Sequence, residues 1–248
     1  MADGILLLHA WPLDGSIYDA QVEALRTALP GTAVLAPHLP GFGGAEPPTT
    51  GVLTMDEAAD AALAAAEAAG ADRVVLAGTS MGGYVALAAW RRHRGRVLGL
   101  VLANTRAVAD DEAGRDRRRA LAARLRAEGK GFLVADPPPL LAADAPAALW
   151  ERVRATIGAQ PAESIAAAAL GMAERPDSTP DLAGIDVPVL SVAGSADGMI
   201  PLTEVRAMAD AIPDGRLEVL PTGHLSCLEA PDALSRLLVE HAARCLGR

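Results

Sequence analysis

Ser80, Asp197 and His224 have the side-chain types and the settings that nucleophilic catalysis requires. Ser80 is the apex of Gly78-Thr79-Ser80-Met81-Gly82, between the apolar run Val74-Val75-Leu76-Ala77 and an alanine- and leucine-rich stretch from Val85 to Trp90. That pattern reads as a strand, a very tight turn and a helix. Such a turn forces the serine into a strained backbone conformation, and the glycines at 78 and 82 let neighbouring backbone pass close to it. The helix that starts at Met81 points its N-terminal dipole at the same spot. A serine hydroxyl attacks well only when a base takes its proton, and the base needs a carboxylate to orient it.

The base must come from five histidines, at positions 9, 38, 93, 224 and 241. His224 lies in Pro221-Thr222-Gly223-His224-Leu225, directly after a strand, which places it on the rim where sites of parallel sheets form. His93 and His241 sit in late helical turns among arginines and read as solvated, whereas His9 reads as a structural residue bonding loop backbone. For the acid, Asp197 follows a strand in Gly194-Ser195-Ala196-Asp197-Gly198. Asp181 and Asp186 precede that strand, at the wrong end of the sheet, and Asp210 and Asp214 fall at a helix terminus and a turn. A developing oxyanion needs preorganised donors. The N–H of Met81 is one candidate, and the loop His9-Ala10-Trp11-Pro12 supplies the other. Trp11 is the choice there, because Pro12 has no N–H.

The elements that position these groups alternate. Strands are expected at 4–9, 32–37, 73–78, 96–103, 187–193 and 216–220. Helices are expected at 16–29, from Thr54 to Gly70, after Ser80, at 202–212 and at 231–246. Continuous apolar runs such as Ile5-Leu6-Leu7-Leu8 suit strands buried on both faces of a parallel sheet. The alternation breaks between about residues 107 and 182, where helical stretches at 110–128, 145–157 and 161–173 are joined by Pro-rich loops such as Asp136-Pro137-Pro138-Pro139. The chain is therefore read as an α/β core formed by residues 1–106 and 183–248, interrupted by a helical cap at 107–182 that would cover the carboxyl ends of the strands.

Composition narrows the function classes. With 248 residues and 51% apolar side chains the chain can bury one sizeable core, yet its longest apolar runs are strand-sized rather than membrane-spanning. A formal charge of −9 and a 3% aromatic content oppose nucleic-acid binding. Cys227 and Cys245 have neither metal-ligand nor CxxC spacing, and Met1-Ala2-Asp3-Gly4 lacks the basic start of a signal peptide. A cytoplasmic protein with reduced thiols, no cofactor, no metal and no membrane partner is the expectation.

These motifs together resemble the α/β-hydrolase superfamily along nearly the whole chain, and the order Ser, Asp, His is the order of its triads. The resemblance rests on His-x-x-Pro at 9–12, Pro-Gly-Phe-Gly at 40–43, Gly-x-Ser-x-Gly at 78–82, Asp197 with Pro201 behind it, and His224. Within the superfamily, Leu8-His9-Ala10-Trp11-Pro12-Leu13-Asp14 and Gly223-His224-Leu225-Ser226-x-x-Glu229-x-Pro231 are similar to 3-oxoadipate enol-lactonase-like esterases and to cofactor-free haloperoxidases. Three departures stand out: Ala10 replaces the usual glycine, His38 replaces a common aspartate, and three residues before the first strand leave no room for an N-terminal hairpin. About six parallel strands should remain.

The resemblance implies an α/β-hydrolase fold and a serine esterase or lactonase acting on a small molecule. Perhydrolysis, acyl transfer and C–C hydrolysis with the same triad stay open, as does a hydrolase-fold receptor with a vestigial site. Arg106 and Trp150 are candidate substrate-binding residues. Arg106 follows the fourth strand, where a guanidinium could pair with a substrate carboxylate or clamp the cap to the core. The arginines at 115, 117, 118, 119, 124 and 126 read as a solvated helix face paired with nearby acids, and Cys227 as a small buried hydrophobe.

Overall fold

The computed structural model describes residues 2–248. Six strands form one all-parallel sheet: β1 (Asp3–Leu8), β2 (Ala33–Leu35), β3 (Arg73–Thr79), β4 (Val97–Ala103), β5 (Val189–Gly194) and β6 (Gly215–Leu220). Every strand expected from the sequence is present. Their order across the sheet is β2-β1-β3-β4-β5-β6. Among the described residues ten α-helices accompany them: α1 (Asp19–Ala28), α2 (Met55–Ala68), α3 (Met81–Arg92), α4 (Glu112–Glu128), α5 (Gly131–Ala135), α6 (Ala147–Ala159), α7 (Ala162–Glu174), α8 (Leu202–Asp210), α9 (Ser226–Glu229) and α10 (Pro231–Cys245). No helix among the described residues is long and apolar enough to cross a membrane.

Chain direction explains the layers. From β1 the chain steps outward to β2 and then returns past β1 to β3, after which β4, β5 and β6 continue the other way. Because parallel crossovers are right-handed, reversing the direction moves the connecting helix to the opposite face. Accordingly α1 packs with α10, and α2 packs with α3. The point of reversal lies between β1 and β3, and it opens a crevice at their carboxyl ends. Leu6, Leu7 and Leu8 of β1 are fully buried, as are Leu76 of β3 and Leu100 and Leu102 of β4. Each such side chain contributes roughly 1.5–3 kcal/mol by leaving water.

The helices between β4 and β5 bear on the loops at this end of the sheet. Helix α4 packs along α7, and α5 packs on α6. Leu53 N, beyond β2, donates to Ala167 O of α7 at 3.0 Å. Gly171 of α7 abuts the Leu53 carbonyl so closely that a Cβ there would lie 1.6 Å from it. Beyond β6, the backbone at Gly223 comes against Leu141 and Ala142 in the same way.

One reading from the sequence is corrected here. His241 is buried, not solvated, at 5% exposure. Leu234, Leu238, His241 and Ala242 recur at helical spacing and form the stripe that α10 turns inward. Arg244 lies off this stripe and pairs with Asp214 at 2.6 Å. Burial holds the His241 imidazole down at about 4. His93 is partly exposed and bonded to Asp60 at 2.7 Å.

Candidate active site

The turn after β3 forms because three pieces of backbone meet with no side chain between them. Ser80 has φ 55° and ψ −115°, outside the regions that L-residues occupy freely. A Cβ on Gly78 would lie 2.1 Å from Gly82 O, and one on Gly82 would lie 1.9 Å from Leu8 O. Glycine at both positions lets α3 start directly against the ends of β3 and β1. The bent peptide is then pinned from β4: Ser80 N donates to Ala103 O at 2.9 Å, and Thr105 Oγ1 donates to Ser80 O at 2.8 Å. Ser80 retains 8% exposure.

Asp197 and His224, 27 positions apart, meet at the ends of β5 and β6. His224 Nδ1 lies 2.9 Å from Asp197 Oδ2 and 3.1 Å from Oδ1, with the imidazole fully buried. That contact makes Nδ1 the protonated nitrogen. Nε2 is buried without a hydrogen-bond partner among the described residues. The Asp197 Oδ1 atom also accepts from Met199 N at 2.8 Å and Ile200 N at 3.0 Å. Burial alone would raise the Asp197 carboxyl. The bond and charge of His224, followed by the Ile200 and Met199 amides, outweigh it and hold the group below its ordinary value.

The loop after β1 is held from several sides. Tyr18 Oη lies 3.2 Å from Leu8 O and 2.6 Å from Thr79 Oγ1, and so ties the end of β1 to the end of β3. His9 Nδ1 lies 3.1 Å from Ala10 O, and its Nε2 accepts from Leu39 N at 3.0 Å. The ring bonds loop backbone, as its sequence setting suggests, and burial keeps it neutral by lowering it to about 4. Trp11 is buried, and its indole Nε1 donates to Ile165 O of α7 at 3.0 Å. Met81 opens α3, where the first amides of a helix have no acceptor within it. The amides of Trp11 and Met81 thus belong to two turns in direct contact through Leu8 and Gly82.

His38 shows how this chain manages without an aspartate at that position. Its Nδ1 accepts from Gly15 N at 3.2 Å, joining the loops after β1 and β2. Gln160, 1% exposed at the end of α6, fastens the same two loops to the helices above. Its Nε2 donates to Asp14 Oδ2 at 2.8 Å, and its Oε1 accepts from Gly43 N at 2.8 Å.

The two candidate substrate contacts each have a neighbour within the protein. Arg106 lies 2.8 Å from Asp110 and 3.2 Å from Glu204, so its guanidinium faces two carboxylates of the protein. Trp150 is half-buried on α6, with the Arg154 guanidinium 5.7 Å from its ring centroid. Cys227 is buried, which pushes its thiol up to about 12. Among the described residues no cluster of three or more His, Cys, Asp or Glu side chains is arranged to hold a metal ion.

Sequence reasoning passed over Asn104, Thr105, Tyr18 and Gln160. The signal for the first two was available: a polar Asn-Thr pair directly after the apolar strand run ending at Ala103, at the carboxyl edge of the sheet. Glu229 was seen only as part of a pattern. Its Oε2 accepts from Gly223 N at 3.0 Å and from Ala142 N at 2.9 Å, linking the histidine loop to the segment above it.

The profile of the alpha/beta hydrolase fold matches residues 4–231. No curated protein sequence matches the chain at a significant level. Among solved structures, a thermophilic esterase from Thermogutta terrifontis is 37% identical, with TM-score 0.92 over 99% of this chain and 90% of that one. The enol-lactonase from Burkholderia xenovorans LB400 is 26% identical, with TM-score 0.87 over 100% and 92%. A bromoperoxidase from Bacillus anthracis shares the fold at 19% identity, with TM-score 0.82 over 100% and 93%.

Proposed function

The chain belongs to the α/β-hydrolase family, and from that premise we propose that it is a serine hydrolase of small carboxylic esters or lactones. In this reading His224 takes the proton of Ser80 through Nε2 as Ser80 Oγ attacks the ester carbonyl. Asp197 holds the Nδ1–H tautomer and stabilises the imidazolium that forms. The N–H groups of Trp11 and Met81 bond the tetrahedral oxyanion. The imidazolium then gives its proton to the leaving alcohol. His224 next activates a water molecule, which releases the acid and restores Ser80.

The observation that carries the reading is the His224–Asp197 pair. A fully buried imidazole is oriented by a carboxylate on one nitrogen, while the other nitrogen has no partner among the described residues. An imidazole held in that tautomer presents Nε2 as the lone-pair nitrogen that a general base needs. The ester or lactone class is drawn from the Thermogutta terrifontis esterase and the Burkholderia xenovorans enol-lactonase, which resemble the chain over nearly its whole length. Residues 107–182 act in this proposal as a cap over the core of 1–106 and 183–248, and Arg106 as a clamp between the two. Arg106 is assigned that role because its guanidinium already faces Asp110 and Glu204.

Two measurements test the reading together. A fluorophosphonate should label Ser80 stoichiometrically, and a series of p-nitrophenyl esters and lactones of graded length should be turned over. Absence of both label and turnover overturns it.

A further inference from the structure

Ser80, Asp197 and His224 follow three different strands, yet one tripeptide at the end of β4 touches the surroundings of all three. Ala103 and Thr105 hold the two ends of the Ser80 peptide unit through the bonds already described. Asn104, between them, is fully buried and turns toward the other two residues. Its Nδ2 donates to Asp197 Oδ2 at 3.1 Å and to Gly223 O at 3.1 Å. Its Oδ1 accepts from Ser226 Oγ at 2.8 Å, and that hydroxyl lies 2.7 Å from Thr222 Oγ1. Thr222 and Gly223 precede His224 in its loop, and Ser226 opens α9 two residues after it.

We propose that Asn104 is the positioning residue of the site, its single amide fixing the Asp197 carboxylate against the loop that carries His224. This rests on the serine-hydrolase reading. The chemistry of the group fits the task. Both N–H bonds and the carbonyl oxygen are in use, so the amide cannot turn without losing several bonds at once. Asp197 Oδ2 takes Asn104 on one side and His224 Nδ1 at 2.9 Å on the other, while Oδ1 is taken by two backbone amides. The bond from Asn104 therefore fixes the rotation of the carboxylate and with it the aim of the imidazole. A neutral donor does so without adding charge beside the pair. The backbone agrees, because Asn104 has φ 48°, a left-handed conformation that asparagine tolerates better than other residues with a Cβ.

The test uses Asn104→Gly, which accepts the same backbone conformation and removes every side-chain bond. On a p-nitrophenyl ester kcat is expected to fall about tenfold to a hundredfold, with KM within about twofold, because aim is lost and binding is not. Fluorophosphonate labelling of Ser80 should slow by the same factor. The far-downfield proton signal of the imidazole–carboxylate bond should shift and broaden. Ser226→Ala, which removes the bond to Asn104 Oδ1 and the Thr222 contact but leaves both Nδ2 bonds of Asn104, should lower kcat by a smaller factor at unchanged KM. A purely structural Asn104 would lower the Tm of the glycine variant and leave kcat, labelling and proton signal at wild-type values, and that result overturns the proposal. Should Asn104→Gly not fold, an unchanged kcat in Ser226→Ala overturns it equally. A wild-type protein that neither turns over esters nor takes the label overturns the hydrolase reading instead, and the proton signal then decides the role of Asn104 by itself.

Discussion

Arg175 meets Asp110 as a buried ion pair, Nη1 to Oδ2 3.0 Å, with 3% of each side chain exposed. The two residues stand at opposite ends of the helical segment between β4 and β5, so one contact closes the segment on itself. Arg106 and Arg118 reach the same carboxylate, and the Arg175 guanidinium lies 4.1 Å from the Tyr84 ring centroid on α3. Burial alone would raise Asp110, but the bonds and charges of Arg175 and Arg118 hold it far below the usual carboxylate range. Asp110→Asn leaves Arg175 buried without its counter-charge and is expected to cost about 3–5 kcal/mol, read by urea unfolding. A loss below about 1 kcal/mol, the scale of a surface pair, would show that the cluster is not a keystone.

Arg106 separates into two roles by kinetics. As a clamp, Arg106→Met should lower the Tm and reduce kcat/KM on neutral and carboxylate-bearing esters alike. A loss of roughly 2–3 kcal/mol confined to carboxylate-bearing esters, with Tm unchanged, would make it a substrate contact instead.

Ser80→Ala should reduce ester hydrolysis by roughly 10⁴-fold or more and abolish labelling, with the circular dichroism of the fold retained. Asp197→Asn should lose roughly 10⁴-fold by mis-setting the His224 tautomer. If Asp197→Asn stays active while another carboxylate variant is dead, the acid lies elsewhere.

Gln160 joins the end of α6 to Asp14 and Gly43, and its removal should alter selectivity more than chemistry. Gln160→Ala leaves the Gly43 amide and the Asp14 carboxylate short of a partner, at a cost of about 1–3 kcal/mol. The preferred acyl length is expected to change while the rate of Ser80 labelling stays within about twofold, since the bonds of Gln160 run to Asp14, Gly43 and Thr156 and not to Ser80, Asp197 or His224. A uniform loss across all chain lengths would count against this.

Acid should weaken the fold through its buried imidazoles. His9 and His241 are held down at about 4 by burial, below the ordinary 6.5. The unfolded chain therefore binds protons that the folded chain refuses between those values, and stability falls as pH drops from about 6.5 toward 4. For the fully buried His9 the loss approaches about 3 kcal/mol. Urea unfolding at stepped pH should show the decline, and His241→Gln should make it shallower. An identical slope in that variant would mean that His241 is not a contributor.

The sheet was legible because its signal is local. Runs such as Ile5–Leu8 and Leu100–Leu102 are buried on both faces, so apolar continuity alone marks them. Ser80 was legible for a similar reason, since Gly78 and Gly82 are required by contacts within a few residues and by the end of β1. Asp197 and His224 could be selected by position after a strand. What holds them could not, because the bond from Asn104 to Asp197 spans 93 positions and an asparagine in a loop has many uses. His241 was misread for a converse reason: neighbouring arginines in sequence say nothing about which side of α10 faces the sheet.

Trp11 answers to two parts of the molecule at once. Its backbone belongs to the loop after β1, while its indole is bonded to Ile165 of α7. If α7 is displaced from the sheet, that bond must break or the loop must travel with it. An indole released from a buried acceptor into water emits at longer wavelength, whereas one that moves with its partner does not. Trp90 is fully buried at the far end of α3 and would keep a constant colour throughout. With Trp150 of α6 replaced by phenylalanine, the fold thus carries its own optical gauge, in which a red shift of the Trp11 emission records the separation of α7 from the rim of the sheet.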